Sequence, residues 1–264
     1  FSPVEYEETV KLGEGIEATF HDAGHVLGSS MIKVGVSQNG EQRTLVFSGD
    51  VGRWEKPMLH DPTIFEEADY ILVESTYGDR LHEDQKGIEA TLVEIINSTR
   101  KRGGNIVIPS FAFERAQEIL YYLNELLLQD RIPHLLVFLD SPMATSITEV
   151  FEHYPDLLDP DMVELMRQKK SPFDFPGLKM TRTTDESKVI NHISGTVIII
   201  AGSGMCTGGR IKHHLVNNIS RRESTILFAG YQAAGTLGRQ IVDGAREVRI
   251  RGQTYPVSAR VVQM

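Results

Sequence analysis

The sequence has a single cysteine, and this scarcity excludes two kinds of structure. Cys206 cannot form an internal disulfide, and it has no second thiol nearby with which to build a thiolate zinc site. We therefore expect a reducing, cytoplasmic setting. Hydrophobic runs are also short, because none approaches the roughly 18 residues that suggest a membrane span. The composition predicts a soluble globular protein of one large or two modest domains.

Basic residues are outnumbered by acidic ones, 27 to 36, which gives a formal net charge of -9. This balance argues against broad nucleic-acid affinity, because phosphate contacts come mainly from Lys and Arg. Three local clusters could still line a groove, although a solvated surface of mixed charge explains each cluster equally well. The clusters are Arg100, Lys101, Arg102; Arg210, Lys212, Arg221, Arg222; and Arg246, Arg249, Arg251.

The spacing of hydrophobic residues changes near residue 80. Before it, short alternating runs such as "IEATFHDA" and "SMIKVGV" predict strands, and "PTIFEEA" is the one candidate helix. After it, short apolar strands alternate with helical segments, which predicts a parallel sheet covered on both faces. Residues 156–191 are polar and predict an irregular lobe. The tail from 245 returns to strand and turn, and the final "RVVQM" together with the initial Phe1 leads us to expect that the chain continues beyond both ends.

Polar groups follow three of the predicted strands, in "TFHDAGH", "LVFSGD" and "ILVESTYGD". A rigid strand end suits a metal ligand, and imidazole and carboxylate are the ligands of hydrolytic zinc sites. His25, Asp50 and Glu74 are therefore candidates. Structural roles remain open for each residue. Asp50 could cap the turn "GDVGR", Glu74 could serve simply as an ion-pair partner of Arg80 or Arg53, and the nearby His21 could be structural.

Two turns are candidate anion sites. "AGSGMCTGGR" joins a strand to a helix through four glycines, and its backbone N–H groups with the Ser203 and Thr207 hydroxyls could cradle an anion. It matches neither a Walker A motif nor a complete dinucleotide fingerprint. "PSFAFERAQE" could add Ser110 and Arg115 to the same ligand, although an ordinary helix start explains it as well.

Five motifs in order carry a resemblance to a known family: "FHDAGHVLGSS", "FSGDVGR", "VESTYGDR", "PSFAFERAQE" and "AGSGMCTGGRIKHHL". The chain resembles the β-CASP nucleases of the metallo-β-lactamase superfamily, in particular the bacterial and archaeal relatives of the cleavage and polyadenylation endonuclease. The resemblance implies an α/β fold, in which a metallo-β-lactamase αββα sandwich carries an inserted β-CASP domain and RNA enters the cleft between them. It assigns residues 1–80 to a partial metallo-β-lactamase domain, 81–244 to the β-CASP domain and 245–264 to strands returning to the first domain.

The resemblance also implies roles for single residues. His25 resembles a zinc ligand, Asp50 the aspartate that bridges two zinc ions, and Glu74 an acidic residue that orients a histidine near the scissile phosphate. Asp50 and Glu74 are thus the expected catalytic residues, whereas His21 matches no ligand position. The expected RNA- and phosphate-binding residues are Ser110, Arg115, Ser203, Gly204, Thr207, Arg210, His213 and His214.

Two departures from the family pattern limit what these 264 residues are expected to do. The motif H-x-H-x-D-H is absent, and so are the family's two later histidine motifs. A catalytic zinc usually needs three protein ligands, so we expect an incomplete site and no RNA cleavage by this polypeptide alone.

We therefore hypothesise that the chain is a segment of a zinc-dependent ribonuclease. Single-stranded RNA is its expected partner, no membrane partner is expected, and the question of whether it forms a homodimer stays open. The alternatives are a non-catalytic RNA-binding or scaffold member of the fold and a nucleotide-binding α/β domain that uses the glycine turn.

Overall fold

The structure, a computed structural model, describes residues 2–79 and 85–264, which form two compact units. The first unit comprises residues 1–82 and 154–164, and the second comprises 83–153 and 165–264. The boundary expected at residues 80 and 81 lies outside the described residues. The membership of 154–164 in the first unit was not predicted.

The first unit is built on a five-stranded sheet. Its strands pair in chain order, with the first four antiparallel and the fifth parallel to the fourth. Asn39 and Gly40 both have positive φ in the two-residue turn between the third and fourth strands, as a tight hairpin requires. The predicted short helix at 62–68 does not form. The strands are β1 Thr9–Gly13, β2 Ile16–Asp22, β3 Ser30–Gln38, β4 Glu41–Phe47 and β5 Tyr70–Leu72.

The second unit alternates helices and strands along the chain, as predicted. The elements up to the last helix are α1 Gln85–Arg102, β6 Ile106–Pro109, α2 Arg115–Leu128, β7 Leu136–Leu139, α3 Pro142–His153, α4 Pro160–Arg167, β8 Leu178–Met180, α5 Thr184–Ile190, β9 Val197–Ala201, α6 Ile211–Asn218, β10 Thr225–Phe228 and α7 Leu237–Val242. Between α3 and β8, the helix α4 begins in the first unit and ends in the second. A hairpin of β11 Glu247–Ile250 and β12 Gln253–Pro256 follows, and β13 Arg260–Gln263 is the last strand.

The six-stranded sheet of the second unit is parallel throughout, in the order β13-β10-β6-β9-β7-β8. Its central strands β6, β9 and β10 are buried along their whole length, because helices cover a sheet of this kind on both faces. On one face, α6 and α7 pack through Ile211, Leu215 and Ile241 into a core shared with β9 and β10. The predicted α/β class with a helix-flanked parallel sheet is confirmed.

Two expectations about residues 156–264 were wrong. The lobe expected at 156–191 to be irregular contains α4, α5 and the edge strand β8. The tail expected to return to the first domain lies in the second unit, where β13 pairs in parallel with β10. The physical reason is that the apolar "RVV" of β13 lies beside the apolar strand β10, where its backbone N–H and C=O groups find hydrogen-bond partners.

Candidate metal and phosphate sites

His25 and Asp50 are brought together by two loops of the first unit. His25 lies three residues after β2 and Asp50 three residues after β4, so neither is within its strand. The Ser29 hydroxyl accepts hydrogen bonds from the backbone N–H groups of His25 and Val26, and Lys56 Nζ donates to the His25 carbonyl at 2.6 Å. His25 Nε2 lies 3.9 Å from Asp50 Oδ2. The sequence-predicted pair therefore converges.

Glycine makes this approach possible. Gly52 N–H donates to the Ala23 carbonyl at 2.8 Å, which joins the Asp50 loop to the His25 loop. A Cβ at Gly52 would lie 1.8 Å from the Gly24 carbonyl oxygen, so any larger residue would force the two loops apart. Gly24 itself has φ +59, which favours glycine.

Glu74 lies beside the same loop and holds its backbone. One carboxylate oxygen accepts from Val51 N–H at 2.7 Å, and the other accepts from the Thr76 hydroxyl at 2.8 Å. The Ser48 hydroxyl accepts from Glu74 N–H, which ties the end of β5 to the end of β4. Glu74 thus fixes the residue next to Asp50. Arg80, one alternative partner for Glu74, lies outside the described residues.

The His25 and Asp50 pair fits a metal in donor type but not in number. Two donors bound to one tetrahedral zinc at about 2.0–2.2 Å each lie about 3.4 Å apart, so the two side chains, now 3.9 Å apart, would close by about 0.5 Å on binding. Across residues 2–79 and 85–264, however, no three His, Cys, Asp or Glu side chains converge as metal ligands. These residues supply part of a metal site.

His21 has structural contacts. Its Nδ1 lies 2.9 Å from a Glu7 carboxylate oxygen, and its ring packs edge-on against Phe65 with the ring centres 5.0 Å apart. These contacts keep the ring mostly buried, in agreement with its mismatch to any family ligand position.

In the second unit, the two predicted anion turns meet at the carboxyl end of the parallel sheet. They follow β6 and β9, which are neighbours, and Ser110 N–H donates to the Ala201 carbonyl at 3.0 Å. A Cβ at Gly204 would come within 3.0 Å of Phe111, so only glycine allows the two turns to pack this closely. The carboxyl edge of a parallel sheet is where such folds bind ligands.

The glycine turn is held in shape from within. The Ser203 hydroxyl accepts from Gly208 N–H at 3.2 Å and lies 3.2 Å from the Thr207 hydroxyl. Gly209 has φ +75, and a Cβ there would lie 2.2 Å from the Gly202 carbonyl oxygen. Gln232, which sequence reasoning missed, donates from Nε2 to the Gly204 carbonyl at 3.1 Å.

Not every predicted phosphate contact is available. Ser110 is buried and its hydroxyl donates to the Phe111 carbonyl, so the expectation that it faces a ligand was wrong. Arg115 Nη1 donates at 2.5 Å to a carboxylate oxygen of the buried Glu118, so a phosphate would have to compete with that carboxylate for Arg115.

A buried cluster around Asp140 was also missed. We define the Asp140 cluster as Asp140, which follows β7, together with the four side chains that donate to its carboxylate. Ser187 Oγ donates to Oδ2 at 2.6 Å, and His214 Nε2 lies 2.6 Å from the same oxygen, whereas Arg210 Nη1 donates to Oδ1 at 2.8 Å. Thr181 donates as well. The signal was available, because "FLD" ends a buried strand as "FSGD" does.

Electrostatics favour an ionised Asp140. Burial by itself would raise the pKa of Asp140, but the hydrogen bonds from His214, Ser187 and Thr181 outweigh it and hold that pKa well below its usual range. Arg210 also donates from Nη2 to the Arg182 carbonyl, so both of its terminal nitrogens are used within the protein.

The burial of His214 contradicts its expected contact with RNA. Its side chain is 0% exposed, whereas the neighbouring His213, about 100° further round α6, is exposed. His214 and Arg210 therefore belong to the Asp140 cluster, and the expected phosphate contact of Arg210, whose side chain is 20% exposed, stays a prediction.

Comparisons with known proteins agree with this architecture. Residues 116–241 match the family model described as the Beta-Casp domain. The chain is 40% identical over 259 residues to Ribonuclease TTHA0252 of Thermus thermophilus, and the aligned residues cover 98% of this chain and 58% of that protein. It is 32% identical over 256 residues to Transcription termination factor FttA of Methanosarcina mazei, covering 95% of this chain and 40% of that protein.

A third relative, an RNase J-like protein of Methanocaldococcus jannaschii, is 30% identical over 262 residues, with 98% of this chain and 59% of that protein covered. The chain belongs to the β-CASP family of the metallo-β-lactamase superfamily, as its motifs predicted. It spans about half the length of the curated relatives it matches. Among the described helices, none has the length and apolar character needed to cross a membrane.

Proposed function

We propose that this chain is part of a metal-dependent ribonuclease that hydrolyses phosphodiester bonds of single-stranded RNA. The observation that carries the proposal is the convergence of His25 Nε2 and Asp50 Oδ2 at 3.9 Å on two loops that glycines hold together. The names of two relatives, a ribonuclease and an RNase J-like protein, support the same activity.

In this proposal His25 and Asp50 contribute two ligands to a zinc site whose other ligands come from beyond the described residues. Zinc bound there would supply Lewis acidity towards a water nucleophile and the phosphodiester. Glu74 keeps Asp50 in place through Val51 N–H, and each of its oxygens retains a second lone pair for a histidine partner. Glu74 is therefore a positioning residue.

Phosphate binding is proposed at the carboxyl edge of the parallel sheet. The exposed Thr207 hydroxyl, Ser203 and the backbone of Gly204 line the glycine turn, and Arg115 adds a guanidinium from the neighbouring turn. Their hydrogen-bonding groups suit the oxygens of an RNA backbone, since backbone N–H groups of such turns are typical phosphate donors.

The test is metal content and RNA cleavage of the complete gene product, with the 264-residue chain purified beside it. We expect bound zinc and cleavage in the former, and neither a stoichiometric metal nor cleavage in the latter, because two ligands are fewer than a catalytic zinc needs. Asp50→Asn in the complete gene product should lose more activity than the roughly 10- to 100-fold typical of an outer partner of a metal ligand.

Asp185→Asn is the matched control, because Asp185 forms only an exposed pair with Lys188. Stoichiometric zinc and cleavage in the 264-residue chain would refute the incomplete site. Cleavage by the Asp50→Asn variant at the control rate would refute the proposed ligand.

A non-catalytic RNA-binding member of the fold is the second candidate, because the described residues offer only two converging ligands. It predicts that the complete gene product binds single-stranded RNA but leaves it intact under the same conditions.

The proposal includes three finer points. Cleavage is proposed to be endonucleolytic, 5′-exonucleolytic or both, and a circular RNA substrate separates the modes because it has no end. A cytoplasmic location is proposed because Cys206, the single cysteine of these 264 residues, forms no internal disulfide. A homodimer is proposed as the assembly, which light scattering of the complete gene product would test.

A further inference from the structure

A pocket of about 280 Å³ lies between α6 and the β11–β12 hairpin in the second unit. None of the side chains that line it is acidic, although the chain has 36 acidic residues against 27 basic ones. Apart from one valine, every lining side chain carries a hydrogen-bonding group. The lining residues are His213, Val216, Asn217, Arg251, Gln253 and Tyr255.

The hairpin that forms one wall is fixed along its length. Val248 and Ile250 of β11 are buried in the same core as α6. At the far end, the Ser220 hydroxyl donates to the Pro256 carbonyl at 3.0 Å. At the near end, Arg251 occupies the two-residue turn with φ +52, a conformation that arginine adopts rarely. The pocket is thus framed by packed elements.

Arg251 has an unusual partner. Its Nη1 lies 2.7 Å from both ring nitrogens of His213, and no carboxylate of the described chain lies within ion-pair distance of it. Burial of the imidazole, and then the charge of Arg251, lower the pKa of His213, which favours a neutral ring. A neutral ring does not offset the guanidinium charge.

Several other arginines of the chain are paired with carboxylates, whereas Arg251, like Arg222 and Arg249, is in none of the ion pairs of the described residues. Arg115, Arg131, Arg182, Arg210, Arg239 and Arg260 each meet a carboxylate. Arg251 therefore keeps a full positive charge beside a pocket, in a protein whose net charge is -9. Because Arg251 is exposed, its charge is available to pair with a bound anion.

Gln253 is the second donor of the pocket. The Tyr255 hydroxyl donates at 2.8 Å to Gln253 Oε1, which fixes the amide with its exposed NH₂ group available to a ligand. A guanidinium and an amide NH₂ beside one another match the oxygens of a phosphate, because arginine binds such oxygens in a forked geometry.

We propose that the pocket between α6 and the β11–β12 hairpin is a phosphate-binding site, with Arg251 as its main ligand and Gln253 and His213 as further donors. It would take the phosphate of an RNA backbone or of a small phosphoester. The proposal goes beyond the ribonuclease function and does not depend on cleavage, because binding requires only residues of the second unit.

The test follows the imidazole resonances of His213 by NMR while inorganic phosphate is added to the 264-residue chain, with His213→Gln used to assign them. We expect a saturable shift. Arg251→Gln should weaken the phosphate affinity at least tenfold, and Arg251→Lys, which keeps the charge without the fork, should weaken it less.

Arg222→Gln is the matched control, because it removes the same charge from an exposed position outside the pocket. It should change the affinity less than twofold. A second titration with single-stranded RNA, and a third with a mononucleotide, identify the source of the phosphate through the same His213 resonances, and a response to either supports the site.

Two results would overturn the proposal. One is the absence of any saturable shift of His213 with inorganic phosphate, RNA or mononucleotide. The other is an equal loss of affinity in Arg251→Gln and Arg222→Gln, which would indicate a general charge effect. Amide spectra of each variant, unchanged away from the pocket, ensure that a loss of binding is not a loss of fold.

Discussion

Asp140 is a buried charged residue whose replacement should destabilise the second unit. Four side chains donate to its buried carboxylate, and one of them is the guanidinium of Arg210. Asp140→Asn removes the charge and leaves Arg210 partly buried without its partner, so we expect a loss of about 3–5 kcal/mol in the free energy of unfolding. Urea denaturation measures it. Asp243→Asn, which breaks only an exposed pair with Arg239, should cost less than about 1 kcal/mol.

The same residue predicts a pH dependence. Because the pKa of Asp140 is lower in the folded than in the unfolded protein, its contribution is fully present above the unfolded value of about 3.9. As pH falls below about 4, the contribution is lost on the way to the folded pKa. The difference in unfolding free energy between the wild type and Asp140→Asn should therefore be constant near neutral pH and shrink in acid. A constant difference down to about pH 2 would contradict the ionised carboxylate.

Residue types at strand ends were predictable from the sequence, but their burial was not. Asp50 and Asp140 both follow an apolar strand, yet Asp50 is exposed and Asp140 is not. Likewise, His213 and His214 are adjacent and chemically identical, and only the packing of α6 against the sheet decides which one faces solvent. Local pattern alone could not separate these pairs, because burial depends on contacts distant in sequence.

At the scale of elements, the glycine turn offers a matched pair of neighbouring substitutions. Gly209→Ala should distort the turn, because φ is +75 and the new Cβ would meet the Gly202 carbonyl oxygen at 2.2 Å. Gly208 has no atom within 4 Å of a new Cβ, so Gly208→Ala should be tolerated. We expect Gly209→Ala alone to weaken single-stranded RNA binding by the complete gene product, by roughly tenfold or more, measured by fluorescence anisotropy. Equal affinities of the two variants would remove the turn from the RNA site.

Strands and helices with a clear hydrophobic pattern were predicted from the sequence. Short elements that depend on packing against the rest of the fold were missed. The apolar runs of β6, β7, β9 and β10 identified the parallel sheet, because buried strands read as continuous hydrophobic segments. By contrast, β8 has three residues and α5 has seven, too few for periodicity to show. The partner of β13 depended on strand pairing across the fold, which the sequence does not encode locally.

At the scale of the whole molecule, the chain leaves the second unit after His153 and rejoins it at Leu165. The intervening residues 154–164 belong to the first unit. Leu158 pairs with Leu59 in an antiparallel bridge, and Asp159 N–H donates to the Met58 carbonyl at 3.0 Å. Leu158, Leu59 and Met58 are all buried. Part of the core of the first unit is thus supplied by residues distant in sequence.

This arrangement predicts that Leu158→Ala destabilises the first unit. Removing a fully buried leucine side chain should cost about 2–5 kcal/mol, whereas Leu157→Ala at the partly exposed neighbouring position should cost clearly less. Hydrogen exchange of backbone amides gives the location as well as the size of the effect. Exchange should accelerate in β2, β3 and β4 of the first unit and remain slow in β6 and β9 of the second. Faster exchange confined to the second unit would contradict the assignment of residues 154–164 to the first.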